Sequence, residues 1–334
     1  MLGIIINPKS GKKAFRLQRL YLFKTLRARK MDFSFKVTKY AGHATELARE
    51  YVEKGVQDIL ILGGDGTVSE AVNGIMSAQG VDTSKVRVGI IPRGTGNDWG
   101  RYWGLTKNHK QSIAAYLNGK AVPIDIGRVE VVRNGITENH YFINSVGFGV
   151  DCLTCQMTQV LKYYVGSHRL LYAFALLFAV AKHKAQKMEL KYQPCLADTE
   201  TKAENGFTAQ LFTMNIGNGP FSGGGIRQNP DADPRDGVFH AMFVEKPTFG
   251  QIMKALPHIF DGKLTELPFI HSIVSDRITL STKKYLPFEA DGIVVDACGP
   301  YMVTVLPHAL QMVAPQSFTI YSFTINKSSI KVLS

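Results

Sequence analysis

Asp65 stands among three glycines, Gly63, Gly64 and Gly66, at the end of the apolar run Ile59 to Leu62. Thr67 follows it, and apolar residues then recur at Val68, Ala71, Val72, Ile75 and Met76. That spacing predicts a buried strand, a tight turn and an amphipathic helix. Glycines without Cβ atoms let a phosphate approach the backbone N–H groups, and the helix turns its positive end to the same spot. A carboxylate placed there repels a bare anion. Asp65 therefore points to a divalent cation, or to a hydroxyl to be deprotonated, beside the phosphates, which is the chemistry of phosphoryl transfer. A second turn of this kind, Pro92 to Asp98, follows Gly89-Ile90-Ile91. Pro92 stops a strand, Gly94 and Gly96 admit a ligand to the backbone, and Thr95, Asn97 and Asp98 offer a hydroxyl, an amide and a carboxylate. Other nucleotide fingerprints fail: Ser69 and Trp99 stand where G-x-G-x-x-G requires its third glycine, and Gly11-Lys12 has neither the upstream glycine nor the Ser or Thr of a Walker A loop.

Strands must deliver these turns. Leu2 to Ile6 is an apolar run that ends at Asn7-Pro8 and opens into Lys9-Ser10-Gly11. Phe15, Leu22 and Leu26 mark a helix, Phe33 to Tyr40 alternates as a strand, and Ala44, Leu47, Ala48, Tyr51 and Val52 mark a second helix. Val86 to Ile91 is a further strand. This alternation predicts a parallel sheet covered by helices, with ligands at the carboxyl ends of its strands. After Asp125 short β-rich segments separated by Gly, Pro, Asn and Asp predict an antiparallel domain. Val160 to Lys184 departs from that texture. Its Leu170, Leu171, Phe174, Leu177, Phe178 and Ala181 fall at helical spacing, which suits either core or a groove for acyl chains.

The chain of 334 residues is long enough for two domains, and 45% hydrophobic with 20% charged residues is a globular balance. A formal net charge of +12 favours an anionic partner. Lys12, Lys13, Arg16, Arg19, Lys24, Arg27, Arg29 and Lys30 follow one another with no acid between them, which suits a face toward anionic lipid or phosphate. Without the motif context of a nucleic-acid-binding module the run does not read as a nucleic-acid binder. Cys152, Cys155, Cys195 and Cys298 are too few for a disulfide scaffold, and the lone C-x-x-C lacks a second zinc-ligand pair, so reduced thiols in the cytoplasm are expected. No signal peptide is legible, and the apolar stretch Leu170 to Ala181 is too short to span a bilayer.

The residues N7-P-K-S-G11, G63-G-D-G-T67 with E70-x-x-N73-G74, and G89-x-x-P92-x-G94-T95-x-N97-D98 resemble the successive signatures of the diacylglycerol kinase catalytic-domain family. Those soluble lipid kinases include bacterial diacylglycerol kinases and the sphingosine and ceramide kinases. The resemblance continues through G217-N218-G219, G223-G224-G225, P230-x-A232, D236-G237 and D291-G292, from about Ile4 to Pro307. It implies a Rossmann-like, three-layer α/β nucleotide-binding domain over 1–125, with 308–334 as a candidate return to it. A β-rich sandwich domain for the lipid substrate would occupy 126–307. It also implies ATP and Mg²⁺ as cofactors and transfer of the γ-phosphate to a lipid hydroxyl, of diacylglycerol or sphingoid type, in phospholipid biosynthesis. By motif position Asn7, Ser10, Gly11, Thr38, Gly64, Asp65, Gly66, Thr67, Val68, Ser69, Glu70, Thr95, Asn97 and Asp98 would meet the nucleotide. Asp236, with the carbonyls of Asp233 and Val238, would hold a structural Mg²⁺. Asp65 and Asp291 would be the catalytic acids.

Two positions depart from the family pattern. Ile293 stands where many members carry a glutamate after D-G, and His240 stands where D-G-x-x-D ends in an acid. Asp65 first and Asp291 second are then the candidates to accept the hydroxyl proton, and the reaction depends more on positioning than on a strong base. The expected partner is a lipid at an anionic membrane surface, with the protein peripheral on its cytoplasmic side and homodimerisation left open. The competing readings are a soluble-substrate kinase of the NAD kinase type and a non-catalytic nucleotide- or lipid-binding protein.

Overall fold

The computed structural model describes residues 1–11, 15–133, 135–165, 169–195 and 205–318. Lys12 and Lys13 of the basic run, and 319–334 of the candidate return, lie outside the described residues. The chain divides into two compact units, Met1–Asp125 joined by the segment that begins at Pro307, and Ile126–Leu306.

The first unit is α/β. In chain order it holds β1 (Leu2–Ile6), α1 (Phe15–Ala28), β2 (Phe33–Val37), α2 (His43–Glu53), β3 (Asp58–Gly63), α3 (Asp65–Met76), β4 (Arg87–Pro92), α4 (Asp98–Tyr102) and α5 (His109–Asn118). β1 pairs in parallel with both β2 and β3, and β3 pairs in parallel with β4. Every residue of β1, and Ile59 to Gly63 of β3, is buried, so both faces of the sheet are covered. Leu22 and Leu26 of α1 and Ile113 of α5 pack with Ile4, Ile6, Leu60 and Leu62. Ala44, Leu47, Ala48, Tyr51 and Val52 form the buried stripe of α2, which packs on α3. The parallel register ends β1, β3 and β4 side by side, so the turns after Ile6, Gly63 and Pro92 emerge together.

The second unit is β-rich. It comprises β5 (Lys120–Arg133, which begins in the first unit), β6 (Ile136–Phe142), β7 (Ser145–Gly149), α6 (Val150–Val165), α7 (Arg169–Lys182), β8 (Gln186–Pro194), β9 (Asn205–Gly217), β10 (Phe239–Glu245), α8 (Phe249–Ala255), β11 (Ile270–Ser281), β12 (Phe288–Ala290), β13 (Ile293–Val295) and β14 (Tyr301–Ala314). The start of β9 pairs with β8 and its end with β10 and β7. β11 likewise pairs first with β10 and then with β8 and β14. Two long strands that change partners fold the sheet over a core of Phe142, Phe148, Met214, Phe239, Phe288 and Tyr301. The helical pattern of 160–184 is two helices, and α6 begins ten residues earlier than the periodicity indicates. Its first turns, Val150 to Gln159, carry β-branched and polar residues that weaken the helical signal.

β14 leaves the second unit at Leu306, and its Gln311 and Met312 pair in parallel with Arg87 and Val88 of β4. The return is anchored where the backbone of His308 takes φ 51° and its amide donates to Oδ1 of the fully buried Asp125 at 2.8 Å. Replacing Asp125 with alanine strands that amide, at a cost of about 1–3 kcal/mol in urea unfolding. Asp125→Asn keeps an acceptor and is expected to lose less.

Candidate functional site

Three loops of the first unit are knitted together at the ends of β1, β3 and β4. Gly64, the residue before α3, has no side chain to satisfy the helix's first amides. Its Cα lies so close to Gly94 that a Cβ on either residue would come within 2.8 Å of the other's Cα, so both must be glycine. The Gly64 amide donates to Ser10 Oγ at 3.3 Å, and Arg93 Nε donates to the Ser10 carbonyl at 3.0 Å. The Arg93 amide donates to the Gly63 carbonyl at 2.8 Å. Asn7 reaches over with Nδ2 to Thr67 Oγ1 at 2.8 Å. Gly66 is exposed, with open space where a Cβ would stand. Ser69 Oγ is buried without a partner in the first turns of α3. A glycine cradle at an uncapped helix start, with an orphaned hydroxyl one turn into the helix, fits the phosphate end of a nucleotide.

Asp65 is placed differently from the simple expectation of a carboxylate facing a cation. Its Oδ2 accepts the Asn97 amide at 2.7 Å, and the amides of Asp98 and Trp99 lie against the same carboxylate. Asp65 thus caps α4, whose own cap residue Asn97 makes no side-chain cap bond. Burial pushes the Asp65 pKa up, and those amides pull part of the shift back. Asn97 is spent on its own loop: it has φ 52°, Oδ1 accepts the Gly94 amide at 2.7 Å, and Nδ2 donates to the Gly94 carbonyl at 2.9 Å.

Other expected nucleotide contacts also have jobs within the fold. Glu70 Oε2 accepts the Ala44 amide at the start of α2, at 3.2 Å. The Val68 side chain is in the core, so only its backbone could serve a ligand. Thr38 is buried at the end of β2, with its amide on the Ile6 carbonyl. Asp98 is buried 3.8 Å from Arg101 Nε, whereas Thr95 is exposed at the tip of its loop. Gly11, with φ 76°, abuts the Arg93 carbonyl. Arg93 itself was not among the expected residues, and the signal for it is a lone guanidinium inside a Gly-, Asn- and Asp-rich turn.

In the second unit Asp291, with φ 50°, accepts the amides of Ile143, Asn144 and Ser145 at 2.8, 2.8 and 3.2 Å. Its oxygens hold the entry to β7, as those of Asp65 hold the start of α4. Asp236 accepts the Val238 amide at 3.1 Å and lies 3.6 Å from His240 Nε2. The Asp233 carbonyl takes the amides of Arg235 and Asp236, and its carboxylate pairs with the Arg235 guanidinium. Among the described residues no group of three or more His, Cys, Asp and Glu side chains is gathered to hold a metal. The Asp236 carboxylate and the Asp233 carbonyl are thus both engaged by backbone amides, and His240 stands beside that carboxylate where a further oxygen would suit Mg²⁺ better.

Sequence reasoning also passed over a buried pair, Asp151 at the start of α6 and Glu289 on β12. Both reach the backbone of Gly147, where a Cβ would lie 2.6 Å from Glu289 Oε1 and 3.1 Å from Asp151 Oδ2. Asp151 is held by Asn215 Nδ2 and Gln228 Nε2, each at 2.9 Å from Oδ2. Glu289 Oε2 accepts the Gly292 amide at 2.6 Å, in the same turn as Asp291. Burial pushes Asp151 up to about 6, and burial followed by the charge of Asp151 pushes Glu289 up to about 8. A carboxyl raised in the folded state stabilises the fold fully below the ordinary carboxylate range, and that stability is lost as pH rises toward about 8. Glu289→Gln keeps an acceptor for Gly292 and removes the titration. Chemical denaturation from pH 5 to 9 should show the native protein losing up to about 1.4 kcal/mol per pH unit over part of this range, and the variant a flatter profile.

Known proteins carry the same two-part chain. The family model described as diacylglycerol kinase catalytic domain matches residues 1–129, and that described as YegS C-terminal NAD kinase beta sandwich-like domain matches 144–314. A diacylglycerol kinase of Mycobacterium tuberculosis is 29% identical over 319 residues, covering 93% of this chain and 94% of its own. A diacylglycerol kinase of Bacillus subtilis is 28% identical over 291 residues, 86% of this chain and 88% of its own. A crystal structure of a diacylglycerol kinase from Bacillus anthracis superposes with a TM-score of 0.68 at 20% identity, covering 95% of this chain and 98% of its own, and supports the fold. With both halves matched in order, and the glycine turns of the first half built as a cradle, the chain belongs to the diacylglycerol kinase catalytic-domain family.

Proposed function

We propose that this protein is an ATP-dependent lipid kinase that transfers the γ-phosphate to the hydroxyl of a diacylglycerol or a sphingoid-type lipid at the surface of an anionic membrane, from the cytoplasmic side. The observation that carries this reading is the backbone contact of Gly64 with Gly94, which brings two glycine turns and the start of α3 to one point. Mg²⁺-ATP would supply the phosphoryl group and the cation that neutralises charge in its transfer. The first amides of α3 and the Ser10 and Thr95 loops are placed to bind phosphate oxygens, and Ser69 offers a buried hydroxyl without a partner.

Asp65 fixes the second turn through the amides of 97–99, and burial makes its carboxylate a better proton acceptor than an exposed one. Asp291 orients the entry to β7. With no glutamate at Ile293, Asp65, ahead of Asp291, is the acid that takes the hydroxyl proton. In a loose phosphoryl transfer, such an acceptor contributes less than positioning does.

The test is transfer of label from [γ-³²P]ATP to vesicles containing diacylglycerol, to vesicles containing a sphingoid base, and to NAD. Label is expected in a lipid; label in NAD alone, or ATP binding with no label in any acceptor, would replace this reading with the soluble-kinase or the non-catalytic one. Asp65→Asn keeps an oxygen for the Asn97 amide but removes the charge. It should lower lipid phosphorylation at least about 100-fold with an unchanged melting curve, and full activity in that variant would refute the role given to Asp65.

A further inference from the structure

The helices α6 and α7 present apolar surface that nothing among the described residues of the second unit covers. One side of the pair is core: Val150 and Leu153 of α6 and Leu176, Ala179 and Val180 of α7 pack with Phe212 of β9. The other side is open. Tyr163 and Tyr164 at the end of α6 are 85% and 76% exposed, and Phe174 and Leu177 of α7 are 60% and 53% exposed. Phe174, Leu177 and Ala181 follow one another at three- and four-residue spacing, which places them on one face of α7 opposite the buried Ala175 and Ala179.

Past Asp151, along α6, α7 and the turn after them, the charge is of one sign. Between Asp151 and Glu189 the sequence contains no acid, while Lys162, Lys182, Lys184 and Lys187 are all exposed. Lys182 lies with Nζ 6.0 Å from the centre of the Phe178 ring, its stem along the helix and its charge at the rim. α7 has 14 residues, about 21 Å of helix, short of the roughly 30 Å hydrocarbon core, and no helix among the described residues is long and apolar enough to cross a membrane. A short helix with exposed Phe and Leu on one face, tyrosines beside it and lysines around it has the form of an element that lies in the bilayer interface. A second copy of the chain is a poorer occupant, because the same face would bring the lysines of the two helices against their own copies, and neither helix has an acid past Asp151 to offset them.

We infer that the open faces of α6 and α7 form a docking surface for an anionic lipid bilayer, with Phe174 and Leu177 entering the acyl boundary and Lys162, Lys182 and Lys184 meeting the headgroups. The inference rests on the lipid-kinase reading for its purpose, since a long-chain substrate must be taken from such a surface, but the binding itself is measured separately.

Flotation with phosphatidylcholine vesicles, with and without phosphatidylglycerol, tests it. The full chain should bind the phosphatidylglycerol vesicles and release them at high salt. Phe174→Glu with Leu177→Glu should weaken that binding at least about tenfold. The same variant should lose phosphorylation of long-chain lipid in those vesicles to a similar degree, and keep phosphorylation of a short-chain, monomerically dispersed lipid alcohol. Lys182→Glu with Lys184→Glu, which leaves the apolar residues in place, should also weaken binding. Vesicle binding that both variants retain, equal binding to neutral vesicles, or a dimer of the native chain that the Phe174 and Leu177 changes dissolve would overturn the surface. Vesicle binding that responds as expected, with no lipid phosphorylated by the native protein, would leave the surface standing and remove the kinase reading instead.

Discussion

Gly64 and Gly94 meet backbone to backbone, and the rest of the site in the first unit follows from that contact. A methyl group on either residue would drive β3 and β4 loops apart, and with them Asp65 from the amides it caps. The parallel register of β1, β3 and β4 makes the approach available, because all three strands end at one level. The long-range bonds then close it: Ser10 to Gly64, Arg93 to Ser10 and Asp65 to Asn97. Each joins residues more than thirty positions apart, so the geometry is a product of the whole sheet rather than of any one turn.

The second unit relies on buried carboxyls in a comparable way. Asp291 gathers three amides at the start of β7, and Glu289, two residues earlier, holds the next amide of the same turn. Gly147 leaves the room into which Glu289 and Asp151 both reach. A charged pair in that space would be costly, and the raised values of both groups express that cost as retained protons. The family's glutamate position is taken by Ile293, so Glu289 is the acid that remains next to this turn. Its carboxyl, pushed up to about 8, keeps its proton at neutral pH, and proton transfer falls to Asp65 in the function proposed.

Much of the architecture was legible because it rests on local patterns. Ile59 to Leu62 reads as a buried strand whatever lies around it, and Gly63 to Gly66 reads as a turn onto a helix. The change of texture after Asp125 marks the β-rich unit for the same reason. What could not be read was where polar side chains point. Glu70 looks like part of a phosphate loop until α2 brings the Ala44 amide within 3.2 Å. Asn97 looks like a ligand group until its own Gly94 occupies both ends of its amide. Asp65 is ambiguous from sequence alone, because its partners are 32 residues downstream in a helix of five residues that periodicity cannot detect. The double pairing of β9 and β11 was equally hidden, since a strand that turns a corner has the alternation of one that does not.

The central claim is that one carboxylate, that of Asp65, holds the second glycine turn in place against the first. Hydrogen–deuterium exchange of the native protein and of Asp65→Ala tests it most directly. The account predicts that the amides of Asn97, Asp98 and Trp99 exchange at least about tenfold faster in the variant, the cost of one lost charge-assisted bond, while those of Ile143, Asn144 and Ser145 are unchanged. Equal exchange at 97–99 in the two proteins would contradict it.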